Sequence, residues 1–253
     1  MRDASALREI AHLALRSAPA HARTLEIGAG TGALTLTLLQ AGAQLTAIEI
    51  DPQLVAHLRG RKDLAAAQIV QADGLTFDYA SWAGGRPWIV AGNLPYNVAT
   101  PIILRLIEME RGPQALTVMV QKDVADRFVA RPGTPEYGSL SVAVQYAMQV
   151  ERAFTLAPGS FFPKPKVHST VVRLSRRCEP AVHPRDPAIF WKVVRGAFAY
   201  RRKTLANSLM LALDFDRERI LRALESSNLS PELRGERLDL GDFARLADAL
   251  AEE

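Results

Sequence analysis

The stretch Thr24-Leu25-Glu26-Ile27-Gly28-Ala29-Gly30-Thr31-Gly32-Ala33 decides the fold. Its first four residues read as a buried strand, the glycines as a turn, and Ala33 to Gln40 as a helix stopped near Gly42. Such a turn lets backbone amides approach a ligand closely at a helix N-terminus. Because Ala33 follows, the run also satisfies the dinucleotide fingerprint G-x-G-x-x-G/A, so the pattern alone does not choose between ligands. Downstream, Leu45 to Ile50 reads as a second strand, and Asp51-Pro52 opens a helix with an N-cap and a proline in its first turn. Ile69 to Ala72 and Trp88 to Ala91 are two more strands, the latter stopped by Gly92, and Thr100-Pro101 starts a helix. Leu116 to Val120 is a fifth strand, Lys122 to Val129 a helix, and Thr170 to Leu174 a last strand. Leu140 to Phe154 is strand-rich in composition, although its first residues suit a helix. Strands alternating with helices imply an α/β fold with a mostly parallel, doubly wound sheet.

After Arg177 the composition changes. Pro180, Pro184 and Pro187 mark a linker, and helices are expected at 187–199, 201–212, 216–226 and 240–250. The expected division is a ligand-binding domain over 1–178 and a small helical domain over 179–253. Hydrophobic residues make up 48% and charged residues 23%, the balance of an ordinary globular chain. No apolar run approaches the ~20 residues that a spanning helix needs. Cys178 is the single cysteine, which rules out a disulfide within the chain and a cysteine zinc site, and a reducing cytoplasm is expected. The histidines show no metal-ligand spacing. Net charge is +4, concentrated in the knot Arg201-Arg202-Lys203; its ordinary reading is a solvated helix face, its competitor a polyanion contact.

Four polar positions carry the chemistry. Glu49 ends the second strand where a carboxylate can take both hydroxyls of a ribose. Asp73 ends the third strand, placed either to accept from an adenine amino group or to serve as a turn aspartate. Glu26 is a carboxylate inside a buried strand, which needs partners; it either orients the glycine loop or faces a cationic ligand. S-adenosylmethionine carries a sulfonium and an ammonium, whereas a dinucleotide brings a pyrophosphate that Glu26 would repel, so the methyl donor is favoured over a dinucleotide oxidoreductase. Asn93-Leu94-Pro95-Tyr96 follows the fourth strand, at the edge where open α/β sheets bind ligands. Asn93 Oδ1 and the Leu94 carbonyl can accept the two hydrogens of an adenine amine and turn its lone pair toward a methyl. Pro95 fixes the carbonyl direction, and Tyr96 offers a stacking face.

With these motifs the chain resembles the ribosomal small-subunit RNA adenine N6,N6-dimethyltransferases. The resemblance extends to Gln121-Lys122-Asp123-Val124-Ala125-Asp126-Arg127, Tyr137-Gly138-Ser139-Leu140-Ser141-Val142, Phe161 to Ser169 and Ala197 to Leu205. It implies a class I methyltransferase domain plus a helical domain that docks the ribosomal subunit, S-adenosylmethionine as donor, and dimethylation of two adjacent adenosines near the 3′ end of small-subunit RNA during subunit assembly. By matching motif, Gly28, Glu49, Asp73 and Asn93 would contact the donor and Asn93 and Tyr96 would hold the target base; the reading of the residues adds Glu26, Gly30 and Gly32 on the donor side and Leu94 and Pro95 around the base. Phe161 would be a second stacking face, and Lys164, Lys166, Arg201, Arg202 and Lys203 RNA contacts. A cytoplasmic monomer with no membrane partner is expected. The rivals are a large-subunit adenine N6-methyltransferase of the antibiotic-resistance type and a non-catalytic assembly or RNA-binding factor. The family usually carries a Gln-Asn-Phe-Leu segment before the first helix that closes over the donor; here Met1-Arg2-Asp3 stands where it would be ending, and weakened donor binding is the expectation.

Overall fold

The computed structural model describes residues 3–16, 18–19, 21–162 and 164–252. Met1 and Arg2, on which the donor-closing segment bears, and Pro163 of the proline-marked stretch lie outside the described residues. The chain forms two units, Met1–Ala125 with Met148–Arg176, and Asp126–Ala147 with Arg177–Glu253.

The first unit is built on a seven-stranded sheet in the order β3-β2-β1-β4-β5-β7-β6. Its strands are β1 (Arg23–Ile27), β2 (Gln44–Glu49), β3 (Gln68–Gln71), β4 (Trp88–Asn93), β5 (Ala115–Gln121), β6 (Met148–Leu156) and β7 (Ser169–Arg176). The first five are parallel, while β7 is antiparallel to both β5 and β6. Continuous apolar runs such as Trp88-Ile89-Val90-Ala91, all buried, are what a parallel strand covered on both faces requires. The helices α1 (Ala4–Leu15), α2 (Ala33–Gln40), α3 (Pro52–Gly60), α4 (Tyr79–Ala83) and α5 (Ala99–Glu108) belong to this unit. In α1, Leu7, Ile10, Leu13 and Ala14 form one buried face that joins Leu34 and Leu38 of α2 in a core with Ile89 and Met119. The sequence order reverses between β1 and β4, and the carboxyl ends of those two strands therefore flank the crevice of a doubly wound sheet.

Gly92 does not end the fourth strand, which runs on to Asn93 in register with Met119. A Cβ on Gly92 would stand 2.7 Å from the Ile27 carbonyl oxygen, so the glycine serves close approach to β1 rather than a turn. The short helix α4 was not expected from the sequence.

The second unit takes in the later part of α6 (Lys122–Val129), then α7 (Ser139–Ala147), α8 (Pro187–Ala199), α9 (Leu205–Ala212), α10 (Arg217–Ser226) and α11 (Leu240–Ala251). The sequence suggested one boundary after residue 178, with everything before it in the sheet domain. Instead, 126–147 joins the helical unit, because Val142 and Tyr137 are buried in its core with Phe190, Leu209 and Phe243. The Tyr137 hydroxyl donates to the Leu238 carbonyl at 2.9 Å. The helix expected at 201–212 begins only at Leu205: Thr204 is its N-cap, its side chain accepting from Asn207 N at 3.4 Å. Arg201, Arg202 and Lys203 therefore lie in the turn before α9, not on a helix face.

Candidate active site

A cavity of about 570 Å³ opens in the first unit at the carboxyl ends of β1, β2 and β4. Gly28, Gly30 and Gly32 all have positive φ, at 76°, 57° and 83°, a conformation that glycine alone adopts without strain. A Cβ on Gly30 would meet nothing within 4 Å, so the loop presents open space on its cavity side. At Gly32 a Cβ would collide with Leu58 and Leu64, at 2.7 and 2.8 Å; this glycine packs the helix and does not line the cavity.

Glu49 ends β2 and is nearly buried, yet its charge is well received. Oε2 accepts from Gly30 N at 2.8 Å, and Oε1 from Ile50 N at 2.9 Å and Asp51 N at 3.1 Å. The carboxylate thus ties the glycine loop to the end of β2. With roughly four lone-pair positions on its two oxygens, three are taken and capacity for a ligand hydroxyl remains. Asp73 also lines the cavity and is a turn aspartate at the same time, Oδ1 accepting from Leu75 N at 2.8 Å. The turn it starts is held from behind: the Tyr79 hydroxyl donates to the Gly74 carbonyl at 2.6 Å, and the Arg105 guanidinium lies 4.8 Å from the Tyr79 ring centre.

Glu26 behaves differently. It is 1% exposed, does not line the cavity, and its Oε2 has no hydrogen-bond partner. Burial pushes its carboxyl up to about 8; the Thr35 hydroxyl beside it acts in the opposite sense and the Glu49 charge adds to the rise. At neutral pH Glu26 is therefore mostly a neutral acid beneath the loop, not a carboxylate facing into the cavity.

Asn93, Leu94, Pro95 and Tyr96 form the opposite wall. The Pro95 carbonyl accepts from Val98 N at 3.1 Å and Ala99 N at 2.9 Å, which fixes the tetrapeptide to the start of α5. Among the described residues, the Asn93 side chain and the Leu94 carbonyl have no hydrogen-bond partner, leaving two acceptors free at the cavity wall. The Tyr96 hydroxyl is bonded to Ser169 Oγ at 2.6 Å, which pins the ring. The glycine loop and this wall touch: a Cβ on Gly28 would lie 3.6 Å from Pro95 Cδ and 3.7 Å from the Asn93 carbonyl oxygen. Phe161 lines the cavity and also packs on the core of the first unit.

Sequence reasoning missed Ile50 and Phe162, which line the same cavity and are 61% and 70% exposed. The available signals were an apolar residue directly after a strand-ending carboxylate, and the Phe161-Phe162 doublet. Lys164 and Lys166 are exposed in the first unit but do not line the cavity, and Arg201 to Lys203 are exposed in the second. Among the described residues no cluster of three or more His, Cys, Asp or Glu could hold a metal, and no helix is long and apolar enough to cross a membrane.

The model of the family described as ribosomal RNA adenine dimethylase matches residues 3–251. The chain is 44% identical over 232 residues to the ribosomal RNA small subunit methyltransferase A of Pseudomonas aeruginosa, covering 91% of this chain and 84% of that one. Its counterpart from Geobacillus thermodenitrificans is 40% identical over 260 residues, covering 98% and 87%. Among solved structures, a dimethyladenosine transferase from Plasmodium falciparum shares the fold, with a TM-score of 0.79, 23% identity, and 97% and 95% of the two chains covered. The 23S rRNA methyltransferase ErmE superposes with a TM-score of 0.74 at 25% identity, covering 99% of each chain. With a family model matched over nearly its whole length and relatives above 40% identity, the chain belongs to the ribosomal RNA adenine dimethylase family.

Proposed function

We propose that this chain transfers methyl groups from S-adenosylmethionine to N6 of two adjacent adenosines near the 3′ end of small-subunit ribosomal RNA, acting as a cytoplasmic monomer on the assembling subunit. One observation carries the catalytic part: the free Asn93 side chain and free Leu94 carbonyl at a cavity wall that abuts the glycine loop. An exocyclic amine is a poor nucleophile while its lone pair is delocalised into the ring. Two acceptors fixed at the end of a strand hold both N–H hydrogens and turn the lone pair out of the ring plane, a contribution of orientation and electrostatics. Tyr96, pinned by Ser169, supplies one stacking face for an extruded base and Phe161 the other.

The donor supplies an electrophilic methyl on sulfur. The residues present suit it: the open face over Gly30, the adjacent Gly28, the nearly buried Glu49 with lone-pair capacity for ribose hydroxyls, and Asp73 for the adenine amine. Gly32 and Glu26 act from behind, the glycine by letting α2 start close to α3 and the neutral acid by supporting β1 under the loop. Lys164 and Lys166, and separately Arg201, Arg202 and Lys203, are assigned to RNA phosphates.

The choice of small-subunit RNA rests on relatives of that name at 44% identity against 25% for the large-subunit enzyme ErmE. Methyl incorporation from labelled donor into isolated small and large subunits tests it. Label is expected in small subunits, reduced about 10²–10³-fold by Asn93→Ala with subunit binding retained. Label confined to large subunits would overturn the substrate. No label in either, with binding intact, would leave a binding factor as the better description.

A further inference from the structure

A second recess of about 410 Å³ lies between α1 and α2, lined by Arg8, His12 and Arg16 with Ala11 and Leu15 on one side, and by Thr37, Gln40 and Ala41 on the other. It shares no lining residue with the cavity described above. We propose that this groove binds the sugar-phosphate backbone of RNA flanking the modified nucleotides. The three basic side chains are all exposed and follow one another at i, i+4 and i+8, which places them in a row at intervals of about 6 Å along α1. One strand of a duplex advances ~3.4 Å per charge, so neighbouring side chains of the row face roughly every second phosphate. Arg8 and His12 make no ion pair among the described residues.

Arg16 does engage a carboxylate, Glu151, but Glu151 is shared. Arg173 on β7, which donates from Nε to the Leu13 carbonyl at 3.1 Å, feels both Arg16 and Glu151, so two guanidiniums face one negative charge. The cluster thus keeps an uncompensated positive charge before Arg8 is added. Glu9, also exposed on α1, does not line the groove. Thr37 and Gln40 provide polar groups opposite.

Two arguments select RNA over a protein partner. A protein interface wants large apolar side chains at its centre, yet the apolar lining here is Ala11, Leu15 and Ala41, and the exposed large apolar residues (Ile50, Phe162, Val167, Tyr200 and Leu211) all lie elsewhere. Placement is the other. Helix α2 leaves the glycine loop at the carboxyl edge of the sheet and runs back about 10 Å to Gln40, so the groove sits behind the site of methyl transfer. A flanking strand reaches it; the target base does not. The inference uses the family's RNA substrate but not methyl transfer itself.

The test is binding of the full chain to deproteinised small-subunit RNA and to intact small subunits across a salt series. Two variants are compared with the unmutated chain: Arg8→Gln/His12→Gln, which disturbs no ion pair, and the same with Arg16→Gln. Donor affinity by calorimetry serves as the folding control and is expected to be unchanged. The triple variant, which loses two guanidiniums, is expected to bind both RNA forms about ten-fold more weakly, with the slope of log affinity against log salt reduced by about 2, since each guanidinium–phosphate contact contributes ~0.9. The double variant should show about half that change in slope. Unchanged affinity and slope in both variants would overturn the proposal. A loss seen with intact subunits but not with deproteinised RNA would overturn it too, assigning the groove to an acidic protein surface. Since the readout is binding, a chain that transferred no methyl would leave this result interpretable.

Discussion

Replacing Glu26 by Gln should change how the stability of the sheet unit depends on pH, and the size of the change follows from the burial of one carboxyl. In the folded chain Glu26 titrates at about 8, mainly because burial disfavours its charge, against 4.5 for the free side chain. Below pH 4.5 the acid is neutral in both states and burial carries no charge penalty. As pH rises further the unfolded chain loses this proton and the folded chain keeps it, so stability falls by about 1.4 kcal/mol per pH unit. Above pH 8 both forms are ionised and the loss levels off at roughly 5 kcal/mol. Glu26→Gln removes the titration but keeps the shape, so its stability relative to the unmutated chain should climb across pH 5 to 8. Any fixed cost of burying the amide shifts the whole curve without altering its slope. Urea unfolding at pH 5, 6, 7 and 8, followed through Trp82 and Trp88 of the sheet unit, reads the difference directly. A difference constant with pH would refute the assignment of a neutral buried acid.

Three further outcomes are expected. Gly92→Ala places a methyl 2.7 Å from the Ile27 carbonyl oxygen, a backbone atom that cannot swing aside, and should destabilise the sheet unit by about 1–3 kcal/mol in the same unfolding assay. Tyr79→Phe removes the bond to the Gly74 carbonyl and loosens the turn that carries Asp73; calorimetry should show donor affinity weakened about 5- to 10-fold, roughly 1 kcal/mol, with kcat at saturating donor nearly unchanged. Tyr96→Phe keeps the stacking face and frees the ring from Ser169, so methyl transfer should fall only several-fold, whereas Tyr96→Ala should lose about ten-fold or more beyond that.

What the sequence disclosed and what it withheld divide along a physical line. Strands such as β1 and β4 were legible because parallel strands buried on both faces are written as unbroken apolar runs, and the cavity residues Gly28, Glu49, Asp73 and Asn93 all follow from their places at strand ends. The end of β4 was misread because Gly92 is a turn signal in isolation, while its reason for being glycine is the Ile27 backbone, 65 residues away in the chain. Likewise Tyr137 and Val142 look like ordinary apolar residues, and only their partners, Leu238 and the α8–α11 core, assign 126–147 to the helical unit. Thr204 is a capping residue visible in the sequence, yet the favourable helix composition of 201–203 hid it. Side chains that face solvent inside the cavity, Ile50 and Phe162, carried no periodic signal at all.

The titratable groups that line the cavity limit what the site can do. They are Glu49, Asp73 and Tyr96; among the described lining residues there is no histidine or lysine. Glu49 is engaged by three backbone amides and Asp73 by one, while the Tyr96 hydroxyl is occupied by Ser169. None is left as a strong base against an adenine amine, and Glu26, whose carboxyl burial holds in the protonated form, is sealed beneath the loop. A reaction that required proton removal before attack would be poorly served here. A reaction whose nucleophile needs only to be desolvated and turned, losing its proton to water after the methyl has moved, is served by the two neutral acceptors at the end of β4. The paired strand, the proline and the bonded tyrosine ring hold those acceptors still, which is the form of catalysis that positioning alone can supply.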